Sequence, residues 1–187
     1  MGDGMIISQF GTVRGLIRLG LSYPQWLFAS DKLPPYDKAA IRRLVFVCHG
    51  NICRSAYADV LANTLGARTA SFGLSTSSGK PAHPPVAAIA ERHDLPIASH
   101  RTSTPDDIIP QPGDLLLAME IRHLGQLAAH PSWGSTPRSL LGLFASPPVP
   151  HLHDPYTLSD AYFETCMDRI TRSTKRLVTQ HPGVIAG

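Results

Sequence analysis

Leu44-Val45-Phe46-Val47-Cys48-His49-Gly50-Asn51-Ile52-Cys53-Arg54-Ser55 is the stretch on which the reading of this 187-residue chain turns. Leu44 to Val47 is a short apolar run of the kind that forms a fully buried strand. Gly50 and Asn51 tolerate tight or left-handed backbone. From Ser55 the pattern becomes helical, with Ala56, Val60, Leu61, Thr64 and Leu65 at helical spacing. The stretch therefore predicts strand, loop and helix, with a thiol at the strand tip and a guanidinium at the helix start. Such a loop turns several backbone N–H groups into one concavity and adds the positive end of the helix dipole. It holds a tetrahedral oxyanion and favours the Cys48 thiolate, a nucleophile. Arg54, six residues on, can clamp two oxygens of the anion in bidentate fashion. Ser55 can donate to the sulfur or cap the helix. The plain alternative for Cys48 is a buried small hydrophobe.

On the C-terminal side, strands and helices alternate. Arg68 to Leu74 reads as a second strand, and Ser75 to Pro85 as a loop rich in Ser, Gly and Pro. A helix is expected from Val86 to His93, a buried strand from Asp114 to Met119, and a helix from Ile121 to Ala129. Ser139 to Phe144 reads as a fourth strand, Pro147, Pro148 and Pro150 as a stiff loop, and Ser159 to Thr179 as the last helix. Alternation of this kind implies βαβ units, a parallel sheet and right-handed crossovers. Ligands then belong at the carboxyl ends of the strands, where Cys48 sits.

The string Val-Cys-x-Gly-Asn-Ile-Cys-Arg-Ser over Val47–Ser55 resembles the phosphate-binding Cys-x5-Arg loop of the low-molecular-weight protein tyrosine phosphatases. The resemblance continues through Ser71-Phe72-Gly73-Leu74, Gly79-Lys80-Pro81, His100-Arg101, Asp114 to Met119, Leu140-Leu141-Gly142 and Asp154-Pro155-Tyr156, about residues 42 to 180 in all. It implies a three-layer α/β fold whose four-stranded parallel sheet has the order 2-1-3-4, flanked by helices. It implies a phosphomonoester hydrolase acting on protein phosphotyrosine through a phosphocysteine intermediate. Cys48 is then the nucleophile, Arg54 the phosphate clamp and Asp154 the general acid and base. Without the resemblance, Asp-Pro is a turn signal. The residues expected around the phosphate are His49, Gly50, Asn51, Ile52, Cys53, Arg54 and Ser55. Ser71 would support Asn51, Tyr156 would wall the substrate cleft, and Cys53 would be a second thiol able to pair with Cys48 on oxidation. No cofactor or metal is expected: the cysteine spacing is not a usual zinc pattern, and Arg54 would repel a cation.

The chain departs from the family at three places. Ala56 stands where relatives usually carry Pro, His49 fills the variable position beside the nucleophile, and Ser75-Thr76-Ser77-Ser78 is a small polar loop where relatives often carry a large apolar residue. The tail, Asp154-Pro155-Tyr156 to Ser159 and Phe163, is similar to bacterial members acting on polysaccharide-export tyrosine kinases. An arsenate reductase of the same fold would need further redox cysteines in residues 85–130, which contain none. A catalytically silent oxyanion-binding module is the other alternative, and the joint presence of Cys48, Arg54 and Asp154 argues against it.

Composition sets the outer bounds. The length suits one core, and 43% hydrophobic residues exclude a disordered chain. The formal charge of +3 suits an anionic ligand, with no Lys/Arg run of a nucleic-acid footprint. Cys48, Cys53 and Cys166 make no disulfide framework, so a reducing, cytoplasmic compartment is expected. Residues 1–39 read as an extension and residues 40–187 as the phosphatase domain. Within the extension, Ile6, Phe10, Val13, Ile17 and Leu21 recur at helical spacing; Tyr23-Pro24 is expected to end the helix, and Lys32 to Pro35 reads as a linker. The apolar side chains of this arm, with Tyr23, Trp26 and Phe28, are expected to pack on the chain's own domain. Self-association and a membrane surface are the alternatives.

Overall fold

A computed structural model describes residues 2–28 and 33–186. Four strands, β1 (Arg43–Cys48), β2 (Thr69–Gly73), β3 (Asp114–Ala118) and β4 (Arg138–Leu140), form one sheet in the order β2-β1-β3-β4. All pairings are parallel, with Cys48 opposite Gly73 and Val47 opposite Ala118. The family's strand order is therefore present.

The two central strands explain the layering. Leu44 and Phe46 of β1 with Leu115 and Leu117 of β3 point into one core, against α3 (Arg54–Thr64), α4 (Pro84–Arg92) and α6 (Asp160–Gln180). The alternate residues Val45, Val47, Leu116 and Ala118 point into a second core with Phe72, Trp133 and α5 (Ile121–Ala128). A strand buried on both faces has no polar side to show, which is why these runs lack alternation. At the amino ends of the strands, Arg43 grips Asp114 with Nε–Oδ1 and Nη2–Oδ2 both at 2.7 Å.

The fourth strand is shorter than its sequence suggests. Only Arg138 to Leu140 pair with β3, and Leu141–Phe144 wind into a 3₁₀ turn. Gly142 lies so close to the next loop that a Cβ there would strike the Val149 carbonyl, and Val149 N–H donates to Gly142 O at 2.8 Å. That approach turns the chain off the sheet edge.

The N-terminal segment also differs from expectation. It is two helices, α1 (Gly2–Phe10) and α2 (Val13–Leu27), rather than one. Gly11, at φ +75°, breaks the run, and the Thr12 side chain caps α2 by accepting from Gly15 N–H at 2.9 Å. Pro24 lies inside α2 and does not end it. Gly20 and Pro24 both lie on the exposed side, so the Gly20 carbonyl deprived of a donor is open to solvent. Just before Pro24, the Tyr23 hydroxyl donates to Pro148 O at 2.9 Å and ties down the last turns. Of the expected linker, Lys32 lies outside the described residues, while Leu33 packs against the second core.

The arm does lie on the rest of the chain, but through few of the side chains expected to cover it. Thr165 of α6 donates to Ser8 O at 2.8 Å, and the Arg169 guanidinium stands 5.7 Å from the Phe10 ring centre. Gly11 and Gly15 are buried against Tyr162 and His153, and Ser22 is buried too. Val13, Ile17 and Phe28 face solvent instead.

Candidate active site

Cys48 ends β1 at the carboxyl edge of the sheet, and Arg54 opens α3, so the loop between them spans a strand end and a helix N-terminus. The Cys48 Sγ lies 3.0 Å from Ser55 Oγ and accepts from Asn51 N–H at 3.2 Å. Both contacts hold the sulfur at the mouth of the loop.

Asn51 holds the loop's shape. It is fully buried and sits at φ +53°, a left-handed conformation that Asn tolerates better than most residues. Its Nδ2 donates to Ser55 Oγ at 2.9 Å and to Ser71 Oγ at 3.1 Å, and its Oδ1 accepts from Ser103 N–H at 2.9 Å. His100 Nε2 stands 2.8 Å from its carbonyl oxygen. Ser71 thus accepts from Asn51, and its own hydroxyl donates to Asp59 Oδ2 at 2.7 Å.

Arg54 is 1% exposed. Its Nη1 donates to Glu120 Oε1 at 2.6 Å and to Leu152 O at 2.8 Å, which locks the plane of the guanidinium. Nη2 stands 2.7 Å from Asp154 Oδ2 but makes no aligned hydrogen bond, and Nε has no partner. Two donors on one edge of a fixed fork are what bidentate recognition of an oxyanion requires. Burial would lower the Arg54 pKa, but Asp154, Glu120 and Cys48 outweigh it and the side chain stays charged.

Glu120 is the residue that the sequence reading missed. It follows β3 at the same sheet edge, 2% exposed, and binds Arg122 Nε through Oε2 at 2.7 Å as well as Arg54. Burial alone would raise its carboxyl, but Arg54, with His123, holds it down at about 2. An ionisable residue directly after a buried strand, at the ligand-bearing end of a parallel sheet, was the available signal. His123 and His151 surround the pair. Burial pushes the first down to about 3 and the second to about 4, against the opposing pull of Glu120.

Asp154 comes from the loop that follows β4 and its 3₁₀ turn, and Leu152 N–H anchors that loop by donating to Met119 O at 3.0 Å. The cleft beside Cys48, about 210 Å³, is lined by Cys48, His49, Gly50, Ile52, Cys53 and Arg54, with Ser75, Thr76, Lys80, Asp154 and Tyr156 across it. All the expected loop residues but Asn51 and Ser55, which brace it from behind, thus face one cleft. Tyr156 is half-exposed at the rim, with its ring 5.1 Å from that of His83. All three cysteines are free thiols, and burial raises Cys53 above its ordinary value and Cys166 to about 12. Among the described residues no group of His, Cys, Asp and Glu is arranged to hold a metal ion.

Comparison with known proteins bears on this arrangement. Residues 43–181 match the family model described as low molecular weight phosphotyrosine protein phosphatase. The low molecular weight protein-tyrosine-phosphatase Wzb of Salmonella typhi is 31% identical over 136 residues, 72% of this chain and 90% of that protein. Among solved structures, the tyrosine phosphatase Wzb of Escherichia coli K30 in complex with sulphate superposes with a TM-score of 0.65 at 27% identity, over 73% of this chain and 95% of that one. The Erwinia amylovora tyrosine phosphatase amsI shares the fold, with a TM-score of 0.66 at 24% identity over 78% of this chain and 96% of that one. With strand order, loop and most of the chain's length in agreement, this chain belongs to the low molecular weight phosphotyrosine protein phosphatase family.

Proposed function

We propose that the chain hydrolyses phosphotyrosine on proteins, with residues 40–187 as the phosphatase domain and residues 1–39 as an extension. The observation that carries the reading is one constellation: a sulfur with hydrogen-bond partners at 3.0 and 3.2 Å, a locked guanidinium lining the same cleft whose Nε and Nη2 make no aligned hydrogen bond, and a carboxylate 2.7 Å from Nη2.

The chemistry follows from it. The phosphoryl group sits in the loop amides and on Arg54, displacing Asp154 from Nη2. The Cys48 thiolate attacks phosphorus as the ester P–O bond breaks, and Asp154 delivers a proton to the departing phenolic oxygen. Water then attacks the phosphocysteine, Asp154 takes its proton, and inorganic phosphate leaves with the thiolate restored. Glu120 and the Leu152 carbonyl hold Arg54 in the plane that the transferring group needs. Ile52 and Tyr156 offer apolar surface to an aryl ring, while His49 and Lys80 suit an acidic peptide around the phosphotyrosine. A tyrosine kinase of a bacterial export system is the finer substrate assignment, and a reducing cytoplasm the compartment that suits a working thiol.

The test is an assay with phosphotyrosine and phosphoserine peptides in the presence of a chelator, on the wild-type protein and on Cys48→Ser. Turnover of the phosphotyrosine peptide alone is expected, lost in Cys48→Ser while vanadate or phosphate binding survives, because the amides and Arg54 remain. Hydrolysis by pure Cys48→Ser at a rate close to wild type removes the nucleophile assignment.

A further inference from the structure

Helix α2 carries apolar side chains on two faces. Toward the protein it buries Gly15 and Ser22, with Leu16, Leu19 and Trp26 partly buried beside them. Its outer face carries Val13, Ile17 and Leu21, four residues apart along one ridge, continued by Leu27 and Phe28. These side chains are 62%, 54%, 55%, 69% and 84% exposed. Met5 and Ile7 of α1 are exposed as well. A soluble helix normally keeps its apolar stripe on the core. A contiguous exposed stripe of this kind marks an interaction surface.

The charges beside the stripe select its partner. After Asp3, residues 4–28 contain two arginines, Arg14 and Arg18, and no acid. Both arginines are exposed and, from the helical period, lie together along one border of the apolar ridge. Arg122, half-exposed on α5, stands on the same flank and shares with Arg18, Gln25 and Ser22 a cavity of about 230 Å³; Glu120 at its base is already bound by Arg54 and Arg122. Apolar residues flanked by arginines have the form of a helix that lies in the plane of a bilayer. At 15 residues, about 22 Å long, α2 falls short of a spanning helix, and none among the described residues is long and apolar enough to cross a membrane. A second copy of the chain, seated α2 on α2, fits less well, because it would bring arginines together with no acid in residues 4–28 to meet them.

We infer that the outer face of α2 docks the protein on the surface of an anionic lipid bilayer, with Val13, Ile17, Leu21, Leu27 and Phe28 in the acyl boundary and Arg14 and Arg18 at the headgroup phosphates. The inference is independent of the catalytic assignment.

Vesicle flotation of the full chain tests it, with phosphatidylcholine alone and with a phosphatidylcholine–phosphatidylglycerol mixture. The mixture is expected to carry the protein at low salt and to release it as salt rises. Ile17→Glu with Leu21→Glu lowers the partition coefficient by about tenfold or more. Arg14→Gln with Arg18→Gln lowers it by about fivefold per arginine on the mixture only. All these side chains are exposed, so melting temperature and hydrolysis of a small aryl phosphate stay at the wild-type level and report that the variants are folded. The docking surface is refuted if the protein does not float with the mixture at low salt, or if the Ile17→Glu, Leu21→Glu variant floats as well as wild type. It is refuted in favour of a second copy if sedimentation shows a dimer that this same variant dissolves.

Discussion

Asp154 is the residue whose role is most open to direct test, because its neighbours fix what its loss can and cannot do. It is partly exposed, and its Oδ2 stands 2.7 Å from Arg54 Nη2. Arg54 keeps Glu120 and the Leu152 carbonyl without it, so the phosphate loop retains its shape in Asp154→Asn. Only the proton is withdrawn. General acid catalysis contributes about 10²–10⁴-fold, and less where the leaving group needs no proton. Asp154→Asn is therefore expected to lose that factor on phosphotyrosine and much less on an aryl phosphate with an activated leaving group. An equal loss along a leaving-group series takes the acid role away from Asp154. At this scale the sequence was legible where a residue acts locally. The Cys48 to Ser55 loop is contiguous, and its chemistry follows from type and spacing. The pairing of Glu120 with Arg54 was not legible, because the two are 66 residues apart and only the sheet brings them together.

At the scale of elements, hydrophobic periodicity located the strands and helices, while their ends depended on contacts that no local pattern carries. Buried β1 and β3 were plain from composition, since both their faces meet a core. β4 was overextended because the approach of Gly142 to Val149 is a tertiary event. In the arm, the glycines were read as weaknesses of one helix, yet they differ sharply in what surrounds them. A Cβ on Gly15 would strike the Phe10 carbonyl and come within 2.9 Å of His153 Cδ2. Backbone cannot yield there, so Gly15→Ala is expected to unseat α2 and destabilise the protein by about 1–3 kcal/mol. Gly20 has nothing within 4 Å of such a Cβ. Gly20→Ala in the same helix should stabilise it by up to about 1 kcal/mol, from helix propensity alone. Thermal melts of the two variants check the pair, and equal shifts of the same sign would contradict the packing described for α2.

Across the whole molecule, the arm and the catalytic end meet at a group of buried histidines. His123 is 1% exposed, and burial holds it down at about 3 despite Glu120 beside it. His151 is held at about 4, and His153 is lowered; burial leads in both, Glu120 opposes, and Arg54 and Arg18 of α2 add to the depression. Each of these imidazoles is neutral in the folded state and has an ordinary value of about 6.5 when unfolded. Between those two values the unfolded chain binds the extra proton, so stability is complete above about pH 6.5 and declines as pH falls toward 4. His123 and His151 each add up to about 1.4 kcal/mol per pH unit to that slope. The α2 helix contributes part of this depression, since Gly15 packs on His153 and Arg18 shares the cavity beside His151. Removing residues 1–28 gives His151 and His153 back some water and takes away the Arg18 charge, while His123, on α5, keeps its place. The truncated protein is thus expected to melt lower than the full chain at pH 7.5, yet to lose less stability between pH 7.5 and pH 5. Turnover of an activated aryl phosphate at pH 7 should persist, because the contacts that shape the Cys48 loop come from Ser55, Ser71, His100 and Ser103. Melting curves of both proteins across that pH range decide the matter: parallel declines would mean that the arm shields neither imidazole, and that its contacts with the catalytic end are packing alone.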